Sequence, residues 1–208
     1  MNRLGVGITL QPEARYLELL QPVFADDADY LVIAPETCWY ADEEGVRHHN
    51  SYRRWFLGIG DRTQKPFVAH AVGASLGTAD PKDLPRQQAW LQRLATDQRA
   101  FAFQWCTDHL GAGILDGRAI TLPVALPMTA AAAELVADRL AAMQHIVPDV
   151  GFENTVCYFL LGDWLDEPRF FDAILCRPRT HLLLDLHNVF TMAKNVGANA
   201  REWLARVD

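Results

Sequence analysis

Six short apolar segments recur along the chain at intervals of about 35 residues: Leu4–Leu10, Tyr30–Ala34, Phe67–Val72, Phe101–Cys106, Val150–Glu153 and Leu182–Leu186. Each is rich in Val, Ile, Leu or Phe and ends at polar or turn residues. Near-continuous apolar runs of this length suit strands buried on both faces, as in parallel sheets. Helical spacing fills the gaps. Ala130–Ile146 carries the stripe Val136, Leu140, Met143 and Val147 behind an N-capping Thr129, and Pro148 ends it. Glu13–Phe24, Pro85–Arg99 and Pro168–Leu175 show weaker helical patterns. Alternating strands and helices predict an α/β protein.

Two α/β architectures compete. A doubly wound nucleotide-binding sheet would place a Gly-rich turn after its first strand, but this chain reads Thr9-Leu10-Gln11-Pro12-Glu13 there. A TIM-type (β/α) barrel fits better. Eight strands and about 250 residues are usual for a barrel, whereas the chain has 208 residues and six evident strands. The expectation is therefore a single domain over residues 1–208, either with two hidden strands or truncated to about six β/α units.

Composition narrows the function. Half the residues are apolar, and 19 Lys and Arg stand against 26 Asp and Glu, a net charge of −7. Without a basic run this argues against nucleic acid and anionic membranes as partners. No apolar run approaches the ~18 residues of a membrane span, and the stretch from Met1 to Ile8 lacks a signal-peptide core. A cytoplasmic protein is expected, with Cys38, Cys106, Cys157 and Cys176 as free thiols outside any CxxC pair.

Polar residues gather where the strands end. Glu36 follows the second strand, His70 lies in the third, Asp108 and His109 follow the fourth, Glu153 and Asn154 close the fifth, and Asp185 and His187 follow the sixth. In a parallel barrel these ends share one face, the face that carries active sites. Crowded carboxylates with imidazoles suit Fe, Mn or Zn, because a cation relieves their mutual repulsion. Alternation along a strand lets only one of Asp108 and His109 point inward. Asp108 is the expected ligand, with Cys106 on its side, which leaves His109 a supporting role. Glu153 is likewise favoured over Asn154. Asp185 and His187, two apart on a strand, would share a face; the competing reading is a helix-capping Asp and a surface His. A lone His70 in an apolar strand is ordinarily a core residue, and its case rests on its company.

Other candidates are weaker. His48-His49 reads as an exposed loop, His145 as a helix-end residue, and His181 as preceding the sixth strand at the opposite end. The six tryptophans read mostly as core. No GxSxG nucleophile elbow is present.

Four motifs carry a family resemblance: His70-Ala71-Val72-Gly73-Ala74-Ser75-Leu76-Gly77, Thr107-Asp108-His109-Leu110, Phe152-Glu153-Asn154 and Leu183-Leu184-Asp185-Leu186-His187-Asn188. In order and spacing the chain resembles the multinuclear non-haem iron-dependent oxidases, the family that includes the methanobactin biosynthesis oxidase. The likeness runs from Gly5 to Gly197, and Leu126 to Gln144 resembles the family's helix ahead of its Glu-Asn motif. Ala71 stands where the family has glycine and Thr107 where it has serine.

The resemblance implies a TIM-type barrel holding two or three iron ions. It implies oxidation by dioxygen of cysteine residues in a ribosomally made precursor peptide, and a partner protein that presents the peptide. Its implied iron ligands are His70, Asp108, Glu153, Asn154, Asp185 and His187, with Glu36 matched loosely. Asp108 and His109 take the catalytic roles, Ser75 and Asn188 the substrate contacts, and the loop from Gly73 to Leu84 is a candidate peptide contact. The family continues past a helix like Ala200–Arg206 into two further strands with more ligands. The expectation is thus a truncated or split member, completed by a second polypeptide or inactive alone. Two rival expectations stand beside it: a non-redox divalent-metal isomerase or hydrolase, and a degenerate homologue that only binds a peptide or partner.

Overall fold

The computed structural model describes residues 4–44 and 46–207; Met1–Arg3, Gly45 and Asp208 lie outside the described residues. In chain order the elements are β1 (Gly7–Thr9), α1 (Ala14–Leu19), β2 (Tyr30–Ile33), a hairpin of β3 (Trp39–Ala41) and β4 (Arg47–His49), α2 (Ser51–Thr63), β5 (Phe67–Ala71), α3 (Leu84–Phe101), β6 (Trp105–His109), a hairpin of β7 (Ala112–Leu115) and β8 (Arg118–Val124), α4 (Ala130–Gln144), β9 (Asp149–Glu153), α5 (Glu167–Leu175), β10 (Thr180–Leu183), α6 (Leu186–Val196) and α7 (Ala200–Leu204).

Six strands form one sheet in the order β1-β2-β5-β6-β9-β10, every pairing parallel. Each strand therefore lies beside its predecessor in the chain, with a helical crossover between, which is the winding of a (β/α) barrel. Among the described residues β1 and β10 do not pair, so the sheet has two edges. No helix among them is long and apolar enough to cross a membrane.

The two faces differ in cover. One face packs on helices: Leu31, Ile33, Ala69, Ala71, Cys106, Val150 and Phe152 are buried, and Phe152 meets Phe171 of α5 edge-on. The other face carries Tyr30, Val32, His70, Trp105, His109, Asp149 and His181, all half-buried. The register aligns His70 with Thr107, Thr107 with Gly151, and His109 with Glu153, so these residues share that second face. Gly151 is where the partner backbone comes close: a Cβ there would collide with the carbonyl of His181.

Several expected boundaries move. Phe101 ends α3 instead of opening a strand; Ala102 takes a left-handed φ of 51° that stops the helix, and Phe101 and Phe103 stack on each other in the core. The fourth strand accordingly starts at Trp105 and contains Asp108 and His109, where the spacing placed them after it. The segment Glu13–Phe24 divides into α1 and a π-helical turn over Val23–Asp27. The expected strand Leu182–Leu186 ends at Leu183, because Asp185 caps α6 by accepting from the backbone N–H of His187 and Asn188. His181 lies within β10 rather than before it, paired with Asp149 at 2.9 Å. His48 and His49 form an exposed hairpin strand instead of a loop, with His48 on Asp42 at 2.6 Å.

Candidate functional site

Three side chains converge at the ends of the middle strands. His70 projects from β5, His109 from the end of β6 and Glu153 from the end of β9. The Oε2 of Glu153 lies 3.2 Å from His70 Nε2 and 3.1 Å from His109 Nε2. The two imidazole rings stand 4.9 Å apart. The far nitrogen of His70, Nδ1, meets Thr107 Oγ1 at 2.9 Å, which fixes the ring and turns Nε2 toward Glu153. The three facing atoms lie within 4.8 Å of one another.

Glu153 is buried, and although two imidazole nitrogens stand close to its Oε2, that oxygen accepts no aligned hydrogen bond among the described residues. A buried carboxylate oxygen left in that state costs free energy unless a cation or proton joins it. Two imidazole nitrogens and one carboxylate oxygen converging from three strands are the donor set of a two-histidine, one-carboxylate metal site, which leaves further coordination positions open. The residues present therefore fit a transition-metal ion.

Asp108 faces the other way. It shares the helix-covered face with Ala71 and Phe152. Its Oδ2 accepts from the backbone N–H of Ala74 at 2.6 Å, and its Oδ1 from that of His109 at 2.6 Å. The inward residue of the pair is thus His109, opposite to the expectation. The reason is that Asp108 serves the backbone: it ties the turn after β5 to the end of β6. Its carboxylate also raises the pKa of the His109 imidazole, outweighing the opposite effect of burial, and Glu153 adds to the rise.

Replacing Asp108 by Asn would set an amide NH₂ against one of those two N–H donors. The expected loss is about 1–3 kcal/mol, or about 3–10 °C of Tm for a chain of this size. The same variant is expected to lower the His109 imidazole pKa, read by NMR titration.

The remaining expected site residues lie apart from this cluster. Asp185 and Asn154 clasp each other through side chain and backbone, Asn154 Oδ1 accepting from the Asp185 N–H at 2.7 Å. Asn188 donates to the Asn154 carbonyl at 2.8 Å. His187 points from the first turn of α6 and is exposed. The strand geometry that would have aimed Asp185 and His187 at one ion is absent, because the strand has already ended.

Glu36 sits in the turn Pro35–Cys38 after β2. Its Oε1 accepts from the Trp90 indole N–H at 2.8 Å and the Val72 N–H at 3.3 Å, and its Oε2 is buried without a partner among the described residues. Burial and the nearby Asp108 charge push its pKa up, against the pull of those two donors. Gly73 permits this approach, since a Cβ there would crowd Glu36 Oε1 at 2.7 Å.

A cavity of about 480 Å³ opens beside the cluster, with His109, Glu36 and Ser75 in its wall. The two hairpins flank it: Trp39 and Arg47 come from the first, and Gly113, Ile114, Ala119 and Ile120 from the second. Ser75, at a left-handed φ of 57°, accepts from the Gly113 N–H at 2.7 Å and meets Thr78 Oγ1 at 2.6 Å. It thereby anchors the second hairpin while lining the cavity. The first hairpin is held by buried Asp97, which accepts from Trp39 Nε1 at 2.7 Å and Arg53 Nε at 3.2 Å. Sequence reasoning quoted Thr107 only within a motif and gave it no role, and it passed over the indole donors of Trp39 and Trp90 and both hairpins. For the second hairpin the turn Asp116-Gly117 was the available signal.

A family model described as the RiPP precursor modification enzyme MbnB/TglH/ChrH matches residues 5–208. A UPF0276 protein of Pseudomonas aeruginosa is 30% identical over 192 residues, covering 90% of this chain and 62% of that protein. A UPF0276 protein of Caulobacter vibrioides is 35% identical over 142 residues, covering 65% of this chain and 48% of that protein. The chain thus spans less than two thirds of the length of these curated relatives.

Solved structures with the same fold include a sugar phosphate isomerase/epimerase from Parabacteroides distasonis (TM-score 0.55, 14% identity, 96% of this chain and 70% of that one). A D-psicose 3-epimerase from Clostridium cellulolyticum gives a TM-score of 0.59 at 13% identity, over 97% of this chain and 70% of that one. At such identities the likeness establishes the α/β barrel fold and nothing about the reaction.

Proposed function

The chain belongs to the MbnB/TglH/ChrH family of RiPP precursor modification enzymes, and from that premise we propose that it is a non-haem iron oxidase acting on cysteine residues of a ribosomally made peptide, with dioxygen as oxidant. The observation that carries this reading is the convergence of His70 Nε2, His109 Nε2 and Glu153 Oε2 on one point beside an open cavity. These three residues would hold one iron, and further ions would need ligands beyond them. When bound, iron supplies a site for the substrate thiolate and the electrons that dioxygen takes up.

The chain's own residues do the rest. Thr107 orients His70, and Asp108 orients His109 through its backbone N–H. The hairpins wall the cavity and limit water around a peptide lying in it. Ser75 and Glu36 line the path of that peptide. Asn188 and the Asn154–Asp185 clasp fix the neighbouring strand end, and His187 stands exposed beside it.

We read residues 1–208 as one barrel domain. The free edges of β1 and β10 and the half-covered inner face support completion of the barrel by further strands, with a partner protein presenting the peptide. Both proposals extend to the additional irons the resemblance implies. The cell interior, where thiols stay reduced, is the compartment that suits the chemistry.

Elemental analysis of protein purified without oxygen or added metal tests the reading. Iron is expected, lost on chelation together with an absorption band that develops when a cysteine peptide is added to the oxidised form. Stoichiometric Zn or Mn with little iron would replace the oxidase reading with Lewis-acid chemistry.

A further inference from the structure

The cavity between the hairpins carries charge opposite to that of the whole chain. The chain has a net charge of −7, yet Arg47, Arg86 and Arg93 all line this one cavity, with Glu36 the one carboxylate in its wall. Arg86 is committed to the fold. Its guanidinium is held by both carboxylate oxygens of Asp83 and donates to the carbonyls of Gly73 and Ala74.

Arg47 and Arg93 are different. Neither has a carboxylate within 4.0 Å among the described residues, although five other arginines do. Arg47 stands on β4 and Arg93 on α3, so two separate elements bring like charges to one wall. Burial and the charge of Arg47 depress the pKa of Arg93. Glu36 and Asp97 offset part of this, but Glu36 is turned toward Trp90 and Val72 and Asp97 toward Trp39 and Arg53. Beside the cations the wall is apolar, formed by Trp39, Ile114, Ile120 and Pro123.

Two arginines lining one cavity with no carboxylate paired to either among the described residues suit an anion, and the planar fork of Arg suits a carboxylate best. We propose that Arg47 and Arg93 form a carboxylate-binding subsite that takes an acidic group of the peptide substrate while the apolar wall packs its neighbouring residues. The subsite rests on the reading of the chain as a peptide-modifying enzyme. A C-terminal carboxylate and an Asp or Glu side chain share the chemistry it recognises.

Calorimetric titration of the full chain at low ionic strength with four probes tests this. They are N-acetyl-Gly-Gly-Cys with a free carboxylate, its C-terminal amide, the amide of N-acetyl-Gly-Asp-Cys, and inorganic phosphate. At least one of the two carboxylate peptides is expected to bind about tenfold more tightly than the neutral amide, and which one does so identifies the source of the group.

Arg47→Gln and Arg93→Gln are each expected to bring that peptide to the level of the amide, with the melting temperature kept. Arg93→Lys is expected to restore part of the difference. Equal binding of acid and amide, an acid preference that survives both Gln variants, or phosphate binding as tightly as the acid peptide would each overturn the subsite. An Arg-dependent acid preference with no chemical change in the peptide upholds the subsite and removes the modification reading. A peptide modified equally well as acid and as amide does the reverse.

Discussion

Glu153→Gln is expected to lower the affinity of the chain for a transition metal by at least about 100-fold. Groups that merely orient a metal ligand are worth about 10–100-fold, and Glu153 supplies the one anionic donor of the cluster directly. The change replaces a negative oxygen with a neutral amide of the same shape. The fold has little to lose, because the new NH₂ group can donate to the imidazole nitrogens that now stand 3.1 and 3.2 Å from Oε2. Metal-free protein and variant, titrated anaerobically with Fe(II) against a chromophoric chelator, give the ratio. An affinity within a few-fold of the parent would place the metal elsewhere in the molecule.

The second large effect concerns stability. Glu167 opens α5 and is half-buried against the aromatic pair Trp164 and Trp203, whose rings stack 5.6 Å apart. Burial pushes its pKa from 4.5 up to about 7, against the pull of the Trp203 indole N–H that it accepts at 3.1 Å. The folded chain thus holds this proton more tightly than the unfolded chain does. The linked stability is fully present below about pH 4.5 and is lost as pH rises through about 7.

Across that window the loss amounts to about 3 kcal/mol. Glu167→Gln keeps an oxygen acceptor for the indole and removes the ionisation. At pH 8 the variant is therefore expected to melt roughly 5–10 °C above the parent, with the two curves converging near pH 5. Melting scans against pH decide it. Parallel curves for the two proteins would show that Glu167 does not titrate in this range.

The order of elements was legible because a parallel strand buried on its helix side writes a nearly continuous apolar run, and all six such runs became strands of one sheet. The Ala130 helix was legible for the same kind of reason: a strict stripe, a capping Thr129 and a stopping Pro148. Phe101 and Phe103 misled, because an apolar residue at a helix end and one in a strand look alike until the left-handed Ala102 separates them. At the sixth strand, Asp185 satisfies both a ligand pattern and a helix cap. The cap was favoured by Val189, Met192 and Ala193, which repeat at helical spacing and bury the inner side of α6.

The site was legible as a set of strand ends and illegible as a set of directions. His70 and Glu153 stand in the cluster. Asp108 and His109 exchange places, because alternation says that one of two adjacent residues points inward and cannot say which. That choice was made by the Ala74 N–H, a backbone donor with no signature in the side-chain pattern. Carboxylates therefore read as ligands in the sequence even where, like Asp108 and Asp185, they bind backbone instead.

The strand order has a consequence for how the molecule comes into being. Every strand of the sheet pairs only with the sheet strands just before and just after it in the chain, so each βα unit can dock onto the one before it. Pairing each strand with the sheet strand that precedes it keeps the loop to be closed shorter than pairing with a remoter strand would, although every parallel pairing still spans a helical crossover. On a ribosome it lets the sheet grow from the N-terminal edge as the chain emerges. His70, His109 and Glu153 sit on the third, fourth and fifth strands, so the strands that carry the convergence point are synthesised before β10 and its helices. Fraying at either edge of the sheet leaves those three strands paired with one another.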